Sequence, residues 1–383
     1  MEAEVLRMTI NLFRGDEECC GVGTSGGTES IILACLAYRE HGKTRGISRP
    51  NIVMSQTAHP AFDKAGFYMD IEIRKVPLKK GLYVDLPGLK RQIDRNTVAL
   101  VGSAPDYCYG NFDPLPEIAA MAQNYGIGCH SDCCLGSFNN AFAEEAGHPL
   151  PCAVDFAVPG VTSISCDPHK YAYGPKGFSV CMFRGTELRK GQFFACMNWP
   201  GGFYATTTMA GSRPGATIAG TWAALASIGH EGYVRNTRQI LDGAAQMRAR
   251  LAAEVPEVTI ATRDHSSLVT IVSNPEKKNA KGEVTINALA LADVLSEEFK
   301  WTLSKLQNPA GCHLAVTLPS STEVEGFVSA VKDAVSLMRR KPELNHSSSV
   351  ATYGMAATLS MVDVSYVNDM CKLHSAALLD ALG

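Results

Sequence analysis

Long hydrophobic runs are missing from this chain of 383 residues. Nowhere do ~18 apolar residues follow one another, so no segment reads as a membrane-spanning helix. The N-terminus, Met1-Glu2-Ala3-Glu4, carries acid where a secretory leader would carry base. A dominant charge sign is also lacking: 35 Lys+Arg stand against 38 Asp+Glu, a formal net charge of −3. That balance leaves no broad basic footprint for a phosphodiester backbone, so nucleic acid is not expected as a partner. The 13 cysteines are odd in number and irregular in spacing, which excludes a disulfide framework and points to a reducing compartment. Cys129-His130-Ser131-Asp132-Cys133-Cys134 has no second ligand pair at zinc-type spacing and reads as a strand entering a loop, so no metal is expected. Fixed-period repeats and low-complexity tracts are absent as well.

What is present is an ordinary globular composition, 46% hydrophobic and 19% charged. Short apolar runs alternate with amphipathic stretches: helices over Thr28–Tyr38, Ala61–Tyr68, Leu86–Ile93 and Glu117–Tyr125, and strands over Asn51–Ser55, Ile71–Val76, Val98–Gly102, Gly128–Asp132, Val161–Ser165 and Ser179–Phe183. This is an α/β pattern, a mainly parallel sheet covered by helices. After Gly211-Ser212-Arg213-Pro214-Gly215 come helices at Thr217–Ser227 and Val234–Leu251. Paired strands follow at Val258–Ala261 and Ser267–Val272, then a helix at Ala288–Phe299, a strand at His313–Leu318 and a helix at Val324–Met338. The chain is therefore divided into a large domain, 1–235, and a smaller α+β domain, 236–383. Its tail from about 345 is expected to be loosely ordered before a closing helix at Val367–Leu382.

Four chemical groups fall beyond strands of the first domain. Thr24-Ser25-Gly26-Gly27-Thr28-Glu29-Ser30 puts small residues at a loop-to-helix junction, where N–H groups converge on an anion or merely form an N-cap. Its glycine spacing fits neither a Walker loop nor a dinucleotide fingerprint. His59 and Asp132 each follow a strand, where open α/β sheets collect ligands, though a structural histidine and a loop-capping aspartate are equally ordinary there. Lys170, in Asp167-Pro168-His169-Lys170-Tyr171, is a surface lysine or an amine that burial pushes toward its neutral form. Together the four match the needs of pyridoxal 5′-phosphate (PLP): a phosphate anchor, a flat group against the ring, an acid for the ring nitrogen and an amine for the aldehyde.

The segments TSGGTES (24–30), AHPAF (58–62), HSDCCLG (130–136), SISCDPHKYAYGPKG (163–177), NWPGGFYATTTMAGSRPG (198–215) and ATYGMA (351–356) occur in an order that resembles the sphingosine-1-phosphate lyases. These belong to the PLP-dependent fold type I enzymes, allied to the group II amino-acid decarboxylases. The resemblance implies the PLP-dependent transferase-like fold. It makes Lys170 the Schiff-base lysine, places Gly27, Thr28 and His169 at the cofactor phosphate, stacks His59 on the ring and sets Asp132 at the pyridine nitrogen. It further implies a homodimer in which Ser212 reaches the neighbouring subunit's cofactor phosphate, and puts Lys176 near the reacting and phosphate end of a phosphorylated sphingoid base. The implied reaction is retro-aldol cleavage to a long-chain aldehyde and phosphoethanolamine. A PLP-dependent amino-acid decarboxylase and an inert paralogue that still binds PLP are the other readings.

Departures from the family pattern are Cys133, which would set a larger, oxidisable group against the cofactor face, the order Tyr171-Ala172-Tyr173-Gly174, and Pro168 before His169. Met1–Val5 resembles an internal stretch of the family. A membrane anchor and an N-terminal segment that completes the site are thus expected to be missing, the anchored form being one of the endoplasmic reticulum and this chain soluble and cytoplasmic.

Overall fold

The computed structural model describes residues 1–263, 265–362, 368, 369, 371–373, 375 and 376, with the side chains of 356–362 left undescribed. Most of the expected closing helix at Val367–Leu382 lies outside these residues. Two compact units are formed, Met1–Asp242 with Arg263–Ser267, and Gly243–Thr262 with Leu268–Gly383. The expected boundary at 235 falls inside a helix.

The first unit opens with helix α1 (Glu2–Leu12), strand β1 (Cys19–Thr24) and helix α2 (Gly27–Thr44). Then follow β2 (Asn51–Ser55), α3 (Ala61–Met69), β3 (Glu72–Val76), α4 (Leu86–Gln92), β4 (Thr97–Ser103), α5 (Leu115–Asn124), β5 (Gly128–Cys133) and α6 (Ser137–Phe142). The unit continues through β6 (Ser163–Cys166), β7 (Ser179–Arg184), α7 (Thr186–Lys190), β8 (Phe194–Trp199), β9 (Gly202–Thr206) and the long helical run α8 (Gly215–Glu254), whose residues from Gly243 onward belong to the second unit. Seven strands make one sheet in the order β1-β7-β6-β5-β4-β2-β3. Pairs β2·β3, β2·β4, β4·β5 and β5·β6 are parallel, while β7 runs against both β6 and β1. Two antiparallel steps restore direction, so β1 points the same way as β6, and the C-terminal ends of β1, β2, β5 and β6 share one sheet edge. Strand alternation splits the core between two faces. Val53 and Leu100 pack into one apolar layer, and Ile52, Met54, Ala99 and Val101 into the other.

Differences from the expected elements have physical causes. β1 (CCGVGT) is two thirds glycine and cysteine, too weak a strand signal to read without its partner β7. β8 and β9 form a separate hairpin whose apolar residues face outward, so no buried alternation marked it. The two helices expected around 217–251 form one run broken at Gly229, whose φ of 64° an L side chain rarely adopts.

The second unit holds an antiparallel sheet, β10 (Val258–Ile260), β11 (Leu268–Ser273), β12 (Ser304–Leu306) and β13 (Gly311–Ala315), in the order β10-β11-β13-β12. Its helices are α9 (Ala288–Phe299), α10 (Leu318–Ser321), α11 (Val324–Arg340) and α12 (Ser348–Val362). The strand expected at His313–Leu318 begins two residues earlier and ends three residues earlier, because Thr317 caps α10 through the Ser320 N–H and ends extended pairing. No described helix is long and apolar enough to cross a membrane.

Candidate active site

The sheet edge at which β1, β2, β5 and β6 end carries a cavity of about 710 Å³. Gly27, Thr28, His59, His169 and Lys170 all line it; Lys176 and Ser212 do not, and both are exposed. Asp132 is buried beside it at 7% exposure.

The α2 end of the cavity is built by close approach. A Cβ on Gly27 would come within 2.7 Å of Asp167 Oδ2 and 2.8 Å of Cys134 Sγ, so only glycine lets the helix start this near the β5 and β6 loops. Gly26 caps α2 without a side-chain hydrogen bond, leaving first-turn N–H groups free to meet an anion. Glu29, in the same turn, accepts from Ser25 N and Ser25 Oγ at 2.6 Å each and from Met209 N at 3.0 Å. It thus ties the loop before α8 to the start of α2. Arg213 donates to Gly23 O at 3.1 Å and pairs with Glu2, which anchors that loop further.

Asp132 sits on the same face of β5 as His130, and Ser165 on β6 serves both: its hydroxyl donates to Asp132 Oδ1 at 2.9 Å and lies 3.1 Å from His130 Nε2. Cys134 N donates to the same carboxylate oxygen at 3.1 Å. Burial pushes Asp132 up, but His130, His59 and the Cys134 N–H outweigh it and hold the carboxyl below its ordinary value. His130 is itself lowered to about 4 by burial. Its other ring nitrogen meets Ser163 Oγ at 2.7 Å.

At the end of β6, Asp167 is 2% exposed, accepts from Ser179 Oγ at 2.6 Å and pairs with Lys170 Nζ at 3.0 Å. Burial disfavours the Lys170 ammonium, yet Asp167 and the more distant Asp132 outweigh it and raise the pKa. The expectation of a lysine driven toward its neutral amine is therefore corrected: a buried carboxylate keeps the charge in place. His169 Nδ1 donates to Phe178 O at 2.9 Å, which leaves Nε2 facing Asp167 Oδ2 at 3.6 Å. His59 Nδ1 accepts the Ala61 N–H at 3.1 Å, holding the ring at the start of α3.

Cys133 does not face the cavity, contrary to expectation. Strand alternation turns it to the face of Ser131, where both Sγ and Ser131 Oγ reach Val154 O and the residue is fully buried. The thiol at the cavity is Cys134. Glu29, Ser165 and Asp167 escaped the sequence reading, although all three stand inside motifs it quoted. Among the described residues no group of three or more His, Cys, Asp and Glu side chains is placed to hold a metal ion.

This set of residues fits PLP: an uncapped helix start for a phosphate, an ionised buried carboxylate for a ring nitrogen, and an imidazole and a lysine that both line the cavity. Comparison with known proteins agrees. The conserved domain of pyridoxal-dependent decarboxylases matches residues 1–272. Sphingosine-1-phosphate lyase 1 of Rattus norvegicus is 40% identical over 97% of this chain and 64% of its own length. The Saccharomyces cerevisiae lyase is 37% identical over 95% of this chain and 61% of its own. The chain thus spans somewhat under two thirds of the length of these curated relatives. The solved sphingosine-1-phosphate lyase of Burkholderia pseudomallei superposes with a TM-score of 0.82 at 34% identity, covering 94% of this chain and 80% of that one. A Lactobacillus brevis glutamate decarboxylase shares the fold at a TM-score of 0.75 and 20% identity. The cofactor of this fold type I site is PLP, and the chain belongs to the pyridoxal-dependent decarboxylase family, among its sphingosine-1-phosphate lyases.

Proposed function

We propose that this chain carries the catalytic site of a PLP-dependent carbon–carbon lyase that cleaves phosphorylated sphingoid bases to a long-chain aldehyde and phosphoethanolamine. The observation that carries the reading is the convergence of Lys170, Asp167, His59 and Gly27 on one cavity with ionised Asp132 behind it, in a chain 40% identical to a lyase named for that substrate.

In this reading Lys170 supplies the amine that holds the cofactor aldehyde. It must first lose a proton, against the pull of Asp167 Oδ2 at 3.0 Å, which favours the ammonium. Gly27, Thr28 and His169 hold the phosphate end, His59 covers one ring face, and Asp132 keeps the ring nitrogen protonated. When bound, PLP supplies the electron sink for the pair released as the C2–C3 bond breaks. Ser165 and His130 hold the Asp132 carboxylate in orientation through that charge movement.

A homodimer belongs to the same proposal. The hairpin β8–β9 exposes Phe194, Met197, Trp199 and Phe203, an apolar surface of the kind a second copy covers. Ser212, outside its own protomer's cavity, is then a residue that a second copy receives, and Lys176 keeps its expected place near the reacting and phosphate end of the substrate. Borohydride reduction of the PLP-loaded protein should leave cofactor on the Lys170 peptide, and sphinganine 1-phosphate should release aldehyde. Carbon dioxide from amino acids without aldehyde would replace this reading with a decarboxylase.

A further inference from the structure

The hydrogen bonds that reach Asp132 do not begin at Ser165 and His130. His130 Nδ1 lies 2.7 Å from Ser163 Oγ, and Ser163 Oγ lies 2.5 Å from the hydroxyl of Tyr38 on α2. That hydroxyl also meets Thr162 Oγ1 at 2.8 Å, and Thr162 Oγ1 accepts from Cys129 N at 2.9 Å. Tyr38, Ser163, His130 and Ser165 are all buried, and Tyr38 does not line the cavity. The Tyr38 ring can lie against β5 because residue 128 is glycine: a Cβ there would stand 2.1 Å from Tyr38 Cε1.

The charge on Asp132 fixes the direction of every proton in this chain. Ser165 has a single hydroxyl proton and gives it to Asp132 Oδ1. The Cys134 thiol also neighbours Ser165, but an ionised carboxylate is the stronger acceptor. Ser165 therefore accepts from His130 Nε2, so that nitrogen carries the imidazole proton. Burial keeps His130 neutral, which leaves Nδ1 bare and makes Ser163 its donor. Ser163 then accepts from Tyr38, and Tyr38 from the Thr162 hydroxyl, whose proton is shared with Cys129 O at 3.1 Å. All the donors point toward Asp132, and in such a chain each bond polarises the next. The reversed chain would satisfy the same hydroxyls, but it turns the Ser165 proton from the carboxylate to Nε2. The stabilisation from the aligned chain thus goes to the charged carboxylate alone, the form that keeps a ring nitrogen protonated.

We propose that Tyr38 is a positioning residue for the cofactor, acting through Ser163, His130 and Ser165 to strengthen the hold of Asp132 on the ring nitrogen. The proposal rests on the placement of Asp132 at that nitrogen and not on the identity of the substrate.

The test compares the affinities of the full chain for PLP and for its analogue in which C–H replaces the ring nitrogen. Tyr38→Phe keeps the ring on Gly128 and removes only the hydroxyl. It should cut the preference for PLP about three- to tenfold, the range of one hydrogen bond. Ser165→Ala should cut it at least as far, and the double variant no further than Ser165→Ala alone, because both act along one chain. A merely structural role for Tyr38 would weaken both cofactors equally and leave their ratio unchanged. An unchanged ratio in Tyr38→Phe, or losses that add in the double variant, overturns the proposal. Nitrogen NMR of histidine-labelled protein supplies a second readout: His130 should carry its proton on Nε2, and a proton on Nδ1 overturns the direction of the chain. If wild type shows no preference for PLP while Tyr38→Phe still shifts the His130 Nε2–H resonance, the placement of Asp132 falls and the chain stands.

Discussion

Asp132 and Asp113 are both buried at the same edge of neighbouring strands, at 7% and 3% exposure, and burial pushes both carboxyls upward. They nevertheless end in opposite states. Asp132 faces His130 and His59, and it accepts from Ser165 and from Cys134 N, so it stays ionised below its ordinary value. Asp113 accepts from Ser103 N at 2.8 Å, has Asp106 and Asp132 as acidic neighbours, and is pushed to about 8. Equal burial decides nothing; the groups facing each carboxylate decide which one carries charge. One ionised acid at the cofactor site, backed by a neutral one, concentrates negative charge where a protonated ring nitrogen would want it.

The largest test of this contrast is Asp132→Asn, which removes the charge and keeps the shape. Turnover of sphinganine 1-phosphate should fall on the order of 10²–10³-fold, while stability changes little and the pKa of Asp113 drops for want of its neighbour. Next comes Ser165→Ala, which strips a hydroxyl from both Asp132 and His130. Chemical denaturation should show a loss of about 1–3 kcal/mol, with a smaller fall in turnover than Asp132→Asn causes.

Asp113→Asn reaches the contrast from the other side. A carboxyl held at about 8 when folded, against 3.8 when free, keeps its proton in the folded chain after the unfolded chain has released it. Its contribution to stability is therefore full at low pH and is lost as pH rises through about 8. His130, lowered to about 4 from 6.5, acts oppositely and only below 6.5. Melting curves between pH 6.5 and 8 should thus slope downward in the wild type and flatten in Asp113→Asn. The smallest effect is expected from Cys133→Ala, on the opposite face of β5: turnover within about twofold of wild type and a stability loss of about 1 kcal/mol. A large loss of activity there would refute the strand alternation that turns Cys133 away.

Much of the site could be read without coordinates because its residues are local to strand ends. His59, His169 and Lys170 each stand beyond an apolar strand, Gly27 and Thr28 stand at a small-residue junction of loop and helix, and all five line one cavity. Lys64 and Tyr68, which line the same cavity, were not legible, since an exposed lysine and tyrosine on an amphipathic helix look like any solvated face. The sequence left the charge on Lys170 open for a related reason. Asp167, three residues away, reads as a turn residue until folding buries it against the lysine.

The sequence alone determined the strands β2 to β7 and most of the helices between them, the choice of amine, imidazole and carboxylate, and the kinship those motifs carry, because periodicity and motif spacing are properties of neighbours along the chain. Tertiary structure decided which of those groups are charged and which face the cavity. Those outcomes depend on partners tens to hundreds of residues away: Ser165 and His59 for Asp132, Met209 for Glu29, Val154 for Cys133. Electrostatics and packing act through space, and only the folded chain brings those partners within reach.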